Sequence, residues 1–180
     1  MPLPGWLQRV WLGRFSRPAG ERPIWRHVLA SPPRRVLEVG LGTLGRTERL
    51  LKLLRTIDPA TAVQLVGIDR FESRSPADPP GVSLQEAHRR LTGLGRVQLV
   101  PGNADGALAR VGNHLGVFDL VLVSADEPPE QMERTWFFLQ RLVRPDSTIL
   151  VEPTPGASWG SLAAPRLAEL ASRPLRRRAA

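Results

Sequence analysis

Apolar residues fall along this chain in two rhythms. Short continuous runs at 36–39, 62–68, 97–100, 118–123 and 148–151 read as buried strands, because a strand covered on both faces has no room for polar alternation. Between them apolar residues recur at helical spacing, over 47–54 and from the capping box Ser83-Leu84-Gln85-Glu86 to about Leu94. Past the fourth run, 128–143 reads as a helix with Trp136, Phe137, Leu139 and Leu142 as its apolar contacts. Residues 165–171 form a last helix with proline in the first turn. The pattern predicts one α/β domain around a parallel sheet.

Two segments precede the first strand. Trp6, Leu7, Val10, Trp11 and Phe15 lie near helical spacing with Arg9 and Arg14 between them, which predicts a short amphipathic helix packed on the domain or covering a cleft. A second helical segment starts at 24–29 and is ended by Pro32-Pro33. The expected organisation is an N-terminal helical segment at 1–34, a Rossmann-like α/β domain at 35–153, and a C-terminal helix with a basic tail at 154–180.

Chemistry concentrates where the first strand ends. Val36-Leu37-Glu38-Val39 closes on a carboxylate and breaks into Gly40-Leu41-Gly42-Thr43-Leu44-Gly45 before a helix begins. Closely spaced glycines allow a tight turn and a close ligand approach, and the helix N-terminus beyond offers free amides and a positive dipole end. A carboxylate here repels a pyrophosphate and favours a ligand with an ammonium group or sugar hydroxyls. Glu38 therefore argues for a cationic cofactor.

At these residues the chain resembles the class I S-adenosylmethionine-dependent methyltransferases, whose first motif is an apolar strand ending in an acid, one residue, and a Gly-x-Gly turn. The resemblance extends from about Arg35 to Glu152 and implies a Rossmann-like sheet. By it, Glu38 and the Gly40-Leu41-Gly42 backbone face the methionine portion of S-adenosylmethionine. Asp69, at the end of the second strand, takes the ribose, with Arg70 beside it. Asn103 and Ala104, in Pro101-Gly102-Asn103-Ala104, take the adenine. Ser124 and Asp126, after the fourth strand, face the transferred methyl, Ser124 as a cofactor contact and Asp126 as an orienting group or base.

The departures are specific. Leu44 stands where the family often has a third glycine, Asn103 replaces an acid, and Asp69 follows Glu38 by 31 residues. Only 28 residues follow Glu152, with no convincing strand pair, so the sheet is expected to be truncated after its fifth strand. Glu38 and Asp69 have an alternative use, as cap residues or as partners of an arginine such as Arg70. Ser124 and Glu152-Pro153 break the acid patterns of metal-dependent relatives, and His27, His88 and His114 have no ligand spacing, so no metal is expected.

Composition narrows the rest. The chain has 180 residues, no cysteine and a net charge of +8. Lys52 is the one lysine, and the arginines are dispersed apart from Arg176-Arg177-Arg178, which does not favour nucleic acid as a partner. No apolar run approaches the roughly 20 residues of a membrane span, and the first residues lack a secretory pattern, so a cytoplasmic protein is expected. The predicted activity is methyl transfer from S-adenosylmethionine to an acceptor the sequence does not identify. A degenerate, non-catalytic scaffold and an NAD-dependent oxidoreductase are the alternatives.

Overall fold

The computed structural model describes residues 18–126 and 129–173. The predicted helix at 5–15 and the arginine run at 176–178 lie outside the described residues. A six-stranded sheet runs in the order β3-β2-β1-β4-β5-β6. Its strands are β1 (Arg35–Val39), β2 (Gln64–Asp69), β3 (Arg96–Pro101), β4 (Phe118–Val123), β5 (Val143–Val151) and β6 (Gly160–Ser161). β1 to β5 are parallel, and β6 pairs antiparallel with β5. All five apolar runs are strands. β5 begins ahead of its run because Arg144, Pro145 and Asp146 are exposed and carry no apolar signal. Past β5 the described residues add one strand the sequence did not announce, the two-residue β6, whose Gly160-Ser161 pair is too short and too polar to leave a strand signal.

Helices cover both faces, which is why the strands read as continuous apolar runs. One face buries Val36, Leu65, Leu120 and Leu122 under α1 (Arg22–Ala30), α2 (Gly45–Ile57) and α3 (Leu84–Leu91). The other buries Leu37, Val39, Val66, Ile68, Val121 and Val123 under α4 (Ala104–Leu115), α5 (Pro129–Arg141) and α6 (Ala164–Ala171). Successive strand residues alternate between these layers. An irregularity in the register at Phe118 and Leu120 breaks the alternation and sends Phe118 to the second face.

Three details depart from the pattern. α4, which the sequence reading did not mark, buries Ala104, Ala107, Leu108 and Leu115 against the sheet at helical spacing, with Gly106 exposed away from that stripe. On α5, Leu139 is buried, as is Leu142 just past its end, whereas Phe137 is 48% exposed, its ring edge-on to Phe138. α1 is part of the core: Ile24, Trp25 and Val28 are fully buried in the cluster that holds Val36 and Leu120. No helix among the described residues is long and apolar enough to cross a membrane.

The order of strands creates the site. β1 has β2 on one side and β4 on the other, so the chain winds away from it in both directions, and the loops at that split open a crevice at the carboxyl edge. Val39 is in register with Ile68 and Val123, and Val123 with Val151. The next residue on each strand, Gly40, Asp69, Ser124 and Glu152, therefore stands in one row along that edge.

Candidate functional site

The cleft above this row has a volume of about 360 Å³, at the small end for a ligand pocket. Gly40, Leu41, Gly42 and Ser124 line it, together with Asp126 and Glu152. Arg46 and Arg49 of α2, Glu21, and Pro79 and Pro80 from the loop after β2 complete the wall. Of the residues anticipated from sequence, Gly40, Leu41, Gly42, Ser124 and Asp126 thus meet in one cleft. Glu38 and Asp69 lie beneath it, and Asn103, Ala104 and Arg70 do not line it.

Gly40 shapes the turn. Its φ is +80°, and a β-carbon there would stand 2.8 Å from Ser124 Cβ. Its amide donates to Ile68 O at 2.9 Å and the Ser124 amide donates to Val39 O at 2.9 Å, so the turn is drawn tightly between β2 and β4. Gly40→Ala should therefore cost about 1–2 kcal/mol of backbone strain, read in a thermal melt as a fall of roughly 2–8 °C for a chain of this length. An unchanged melt would show that the turn has room to relax. Leu44, at the position where the resembled family often has a third glycine, also adopts a left-handed φ of 67°. Its side chain is fully buried, and burial of a leucine, about 1.5–3 kcal/mol, offsets a left-handed backbone costing roughly 1–2 kcal/mol.

Glu38 is fully buried at the end of β1. Arg46, from the first turn of α2, donates Nε to Glu38 Oε1 at 2.8 Å and Nη2 to Gly40 O at 2.7 Å. Its guanidinium lies 4.6 Å from the centre of the Trp159 ring, which holds it from the other side. Glu38 Oε2 is buried and has no hydrogen-bond partner. An unpartnered buried carboxylate oxygen is costly; it is also what a ligand ammonium would satisfy.

Asp69 is bound on every side. The amides of Leu41 and Gly42 donate to Oδ2 at 2.8 and 3.0 Å, and the Phe71 amide donates to Oδ1 at 2.9 Å. Arg74 closes the set with Nε on Oδ1 at 3.0 Å and Nη2 on Oδ2 at 2.7 Å. Burial works to raise the Asp69 pKa, but the Arg74 hydrogen bonds and charge, with the Phe71 and Gly42 amides, outweigh it and hold the carboxyl below its ordinary value. The anticipated arginine pairing thus occurs, with Arg46 and Arg74. Arg70 instead pairs with Asp78 at 2.6 Å and donates to Asp126 O at 3.0 Å, tying the loop after β2 to the loop after β4.

The remaining charges meet at the open side of the cleft. Ser124 Oγ donates to Glu152 Oε2 at 3.1 Å, and Glu152 Oε1 accepts from the Gly156 amide at 2.8 Å. Asp126 is raised above the usual carboxylate value by burial, against the pull of Arg74 and Arg46. Glu21 is raised in the same way, with Arg49 at 2.6 Å as its partner. Asn103 is exposed at the N-cap of α4 and makes no side-chain cap bond, and Ala104 is buried behind it. Among the described residues no group of three histidine, cysteine or acidic side chains could hold a metal ion. Sequence reading missed Arg46, Arg74 and Trp159. Only Arg46 left a trace, as a basic residue in the helical turn directly after the glycines.

The sequence matches no protein-family model and no curated protein. Solved structures do match. An O-methyltransferase from Bacillus cereus in complex with S-adenosylhomocysteine superposes with a TM-score of 0.57 at 16% identity, covering 84% of this chain and 68% of that one. The O-methyltransferase TomG from Streptomyces achromogenes, involved in tomaymycin synthesis and in complex with S-adenosylmethionine, gives 0.55 at 21% identity, covering 82% and 64%. CalS11, a TDP-rhamnose 3'-O-methyltransferase of calicheamicin biosynthesis, gives 0.52 at 16% identity, covering 92% and 82%. The chain spans 32% of the length of a further match, the MycE methyltransferase of mycinamycin biosynthesis, whose TM-score is 0.45. The fold is that of the class I S-adenosylmethionine-dependent methyltransferases. The fit to that cofactor is uneven: Glu38 Oε2 has no partner, whereas Asp69 is filled by Arg74, and neither carboxylate lines the cleft.

Proposed function

We propose that this chain binds S-adenosylmethionine in the cleft at the carboxyl edge of β1 and β4 and transfers its methyl group to an acceptor. The observation that carries this reading is the glycine turn set between two buried strand-end carboxylates, Glu38 and Asp69, at the point where the sheet changes direction. In it, Glu38 and the Gly40-Leu41-Gly42 backbone hold the aminoacyl portion and Asp69 the ribose. Asn103 and Ala104 lie toward the adenine, Ser124 contacts the cofactor, and Arg70 braces the loops on either side. The cofactor supplies an activated methyl on a sulfonium. The chain's residues align an acceptor and exclude water, and Asp126, which lines the cleft, takes a proton from it. The matched O-methyltransferases make a small-molecule hydroxyl the first acceptor class to test.

The test is calorimetric titration with S-adenosylmethionine, S-adenosylhomocysteine and NAD. Saturable binding of both sulfur ligands and none of NAD is the expected result. Glu38→Gln should weaken it about tenfold or more, the weight of one charge-assisted hydrogen bond. Binding of NAD alone would overturn the reading in favour of an oxidoreductase. The filled Asp69 favours one second reading, a non-catalytic scaffold, for which S-adenosylmethionine would bind without being converted in the presence of any acceptor tried.

A further inference from the structure

Asp69 has no lone pair left for a ligand. Five donors address it, from Leu41, Gly42, Phe71 and two nitrogens of Arg74, and a carboxylate offers about four acceptor positions. Three of the donors are backbone amides that belong to the turns on either side. The other two come from a side chain that can leave.

The place Arg74 occupies is built for it. Carboxylate and guanidinium are both buried, their side chains 2% and 9% exposed. Pro79 O accepts Nη1 at 2.8 Å. Gly81 supplies the space, since a β-carbon there would stand 2.7 Å from Arg74 Cδ and closer still to Nε. The loop that wraps the guanidinium then continues as the Pro79-Pro80 wall of the cleft. One further anion stands near, Asp126, whose Oδ2 is 3.7 Å from Arg74 Nη2.

An arginine fork presents two parallel N–H donors to the two carboxylate oxygens. Vicinal ribose hydroxyls present the same two-donor face. We infer that Arg74 fills the ribose seat on Asp69 with the chain's own guanidinium, and that an adenosine-bearing ligand enters by displacing it toward Asp126. This rests on the cofactor reading above. The displacement makes Arg74 a determinant of affinity, because a site competent in only a fraction of the molecules binds with its affinity reduced by that fraction. With the seat filled in nine molecules of ten, the loss is about tenfold.

Two substitutions test this by different routes. Arg74→Ala removes the fork. Gly81→Ala keeps both charges and places a methyl where Arg74 Cδ and Nε lie, unseating the side chain by contact. S-adenosylhomocysteine is titrated into the full chain, wild type and each variant, with a thermal melt to confirm folding. Both variants should bind more tightly than wild type, by about tenfold where the seat is filled in nine molecules of ten, and binding to a variant when wild type shows none supports the inference most strongly. If wild type binds and the variants bind equally or more weakly, the inference is overturned while the cofactor reading stands. Should neither wild type nor variants bind, both fall. If Arg74→Ala does not fold, Gly81→Ala decides alone.

Discussion

Asp69→Asn is expected to cost the fold about 3–5 kcal/mol, because it leaves the buried Arg74 guanidinium facing a neutral amide. Asp69 is 1% exposed, so water cannot replace what is lost. The amide also presents an NH2 group toward the turn amides or toward Arg74, setting donor against donor. For a chain of 180 residues the penalty should appear as a fall in Tm on the order of 10 °C. Its dependence on pH identifies the cause. The folded Asp69 pKa lies below the unfolded value of 3.8. Its contribution is therefore fully present above that value and is lost as pH falls through the lower folded one. Urea unfolding of wild type and variant should differ most near neutral pH, and the gap should close below about pH 4. A variant as stable as wild type at neutral pH would show that the ring of donors around Asp69 does not hold in solution.

Trp25→Ala is expected to be comparably damaging, at about 3–5 kcal/mol for emptying a fully buried aromatic site. Trp25 lies on α1, ahead of the first strand, yet it is 0% exposed within the cluster that covers β1 and β4. Its indole nitrogen has no hydrogen-bond partner, so packing and the Arg49 guanidinium, 5.5 Å from its ring centre, hold it in place. Arg49 in turn carries Glu21 at the rim of the cleft. Loss of Trp25 should thus loosen one wall of the site as well as the core. Chemical denaturation reads the first effect. A chain beginning at residue 35 provides the companion measurement, because it lacks Ile24, Trp25 and Val28 together and should not reach a cooperative fold. A sharp unfolding transition from that shortened chain would show that α1 is dispensable.

The sequence by itself determined the five parallel strands and the glycine turn at the end of the first. A strand covered on both faces must be apolar at nearly every position, so runs such as Phe118–Val123 announce themselves without reference to any neighbour. Likewise Gly40 is legible because a left-handed turn beside a tightly packed strand admits no side chain, and Glu38 because an acid closing an apolar run is conspicuous. Helix α4 was missed although Ala104, Ala107, Leu108 and Leu115 recur at helical spacing, because its two glycines weaken the helix signal and two of its four buried residues are only alanines. Nor were the partners of the two carboxylates. Many arginines were available to Glu38 and Asp69, and sequence proximity pointed to Arg70. The tertiary structure chose Arg46, which the first turn of α2 lays over the end of β1, and Arg74, which the loop ending at Gly81 folds back onto β2. Long side chains reach across turns whose course depends on packing elsewhere. Patterning along the chain sets where a strand or turn must be, but which charges meet is settled only when distant segments are brought together.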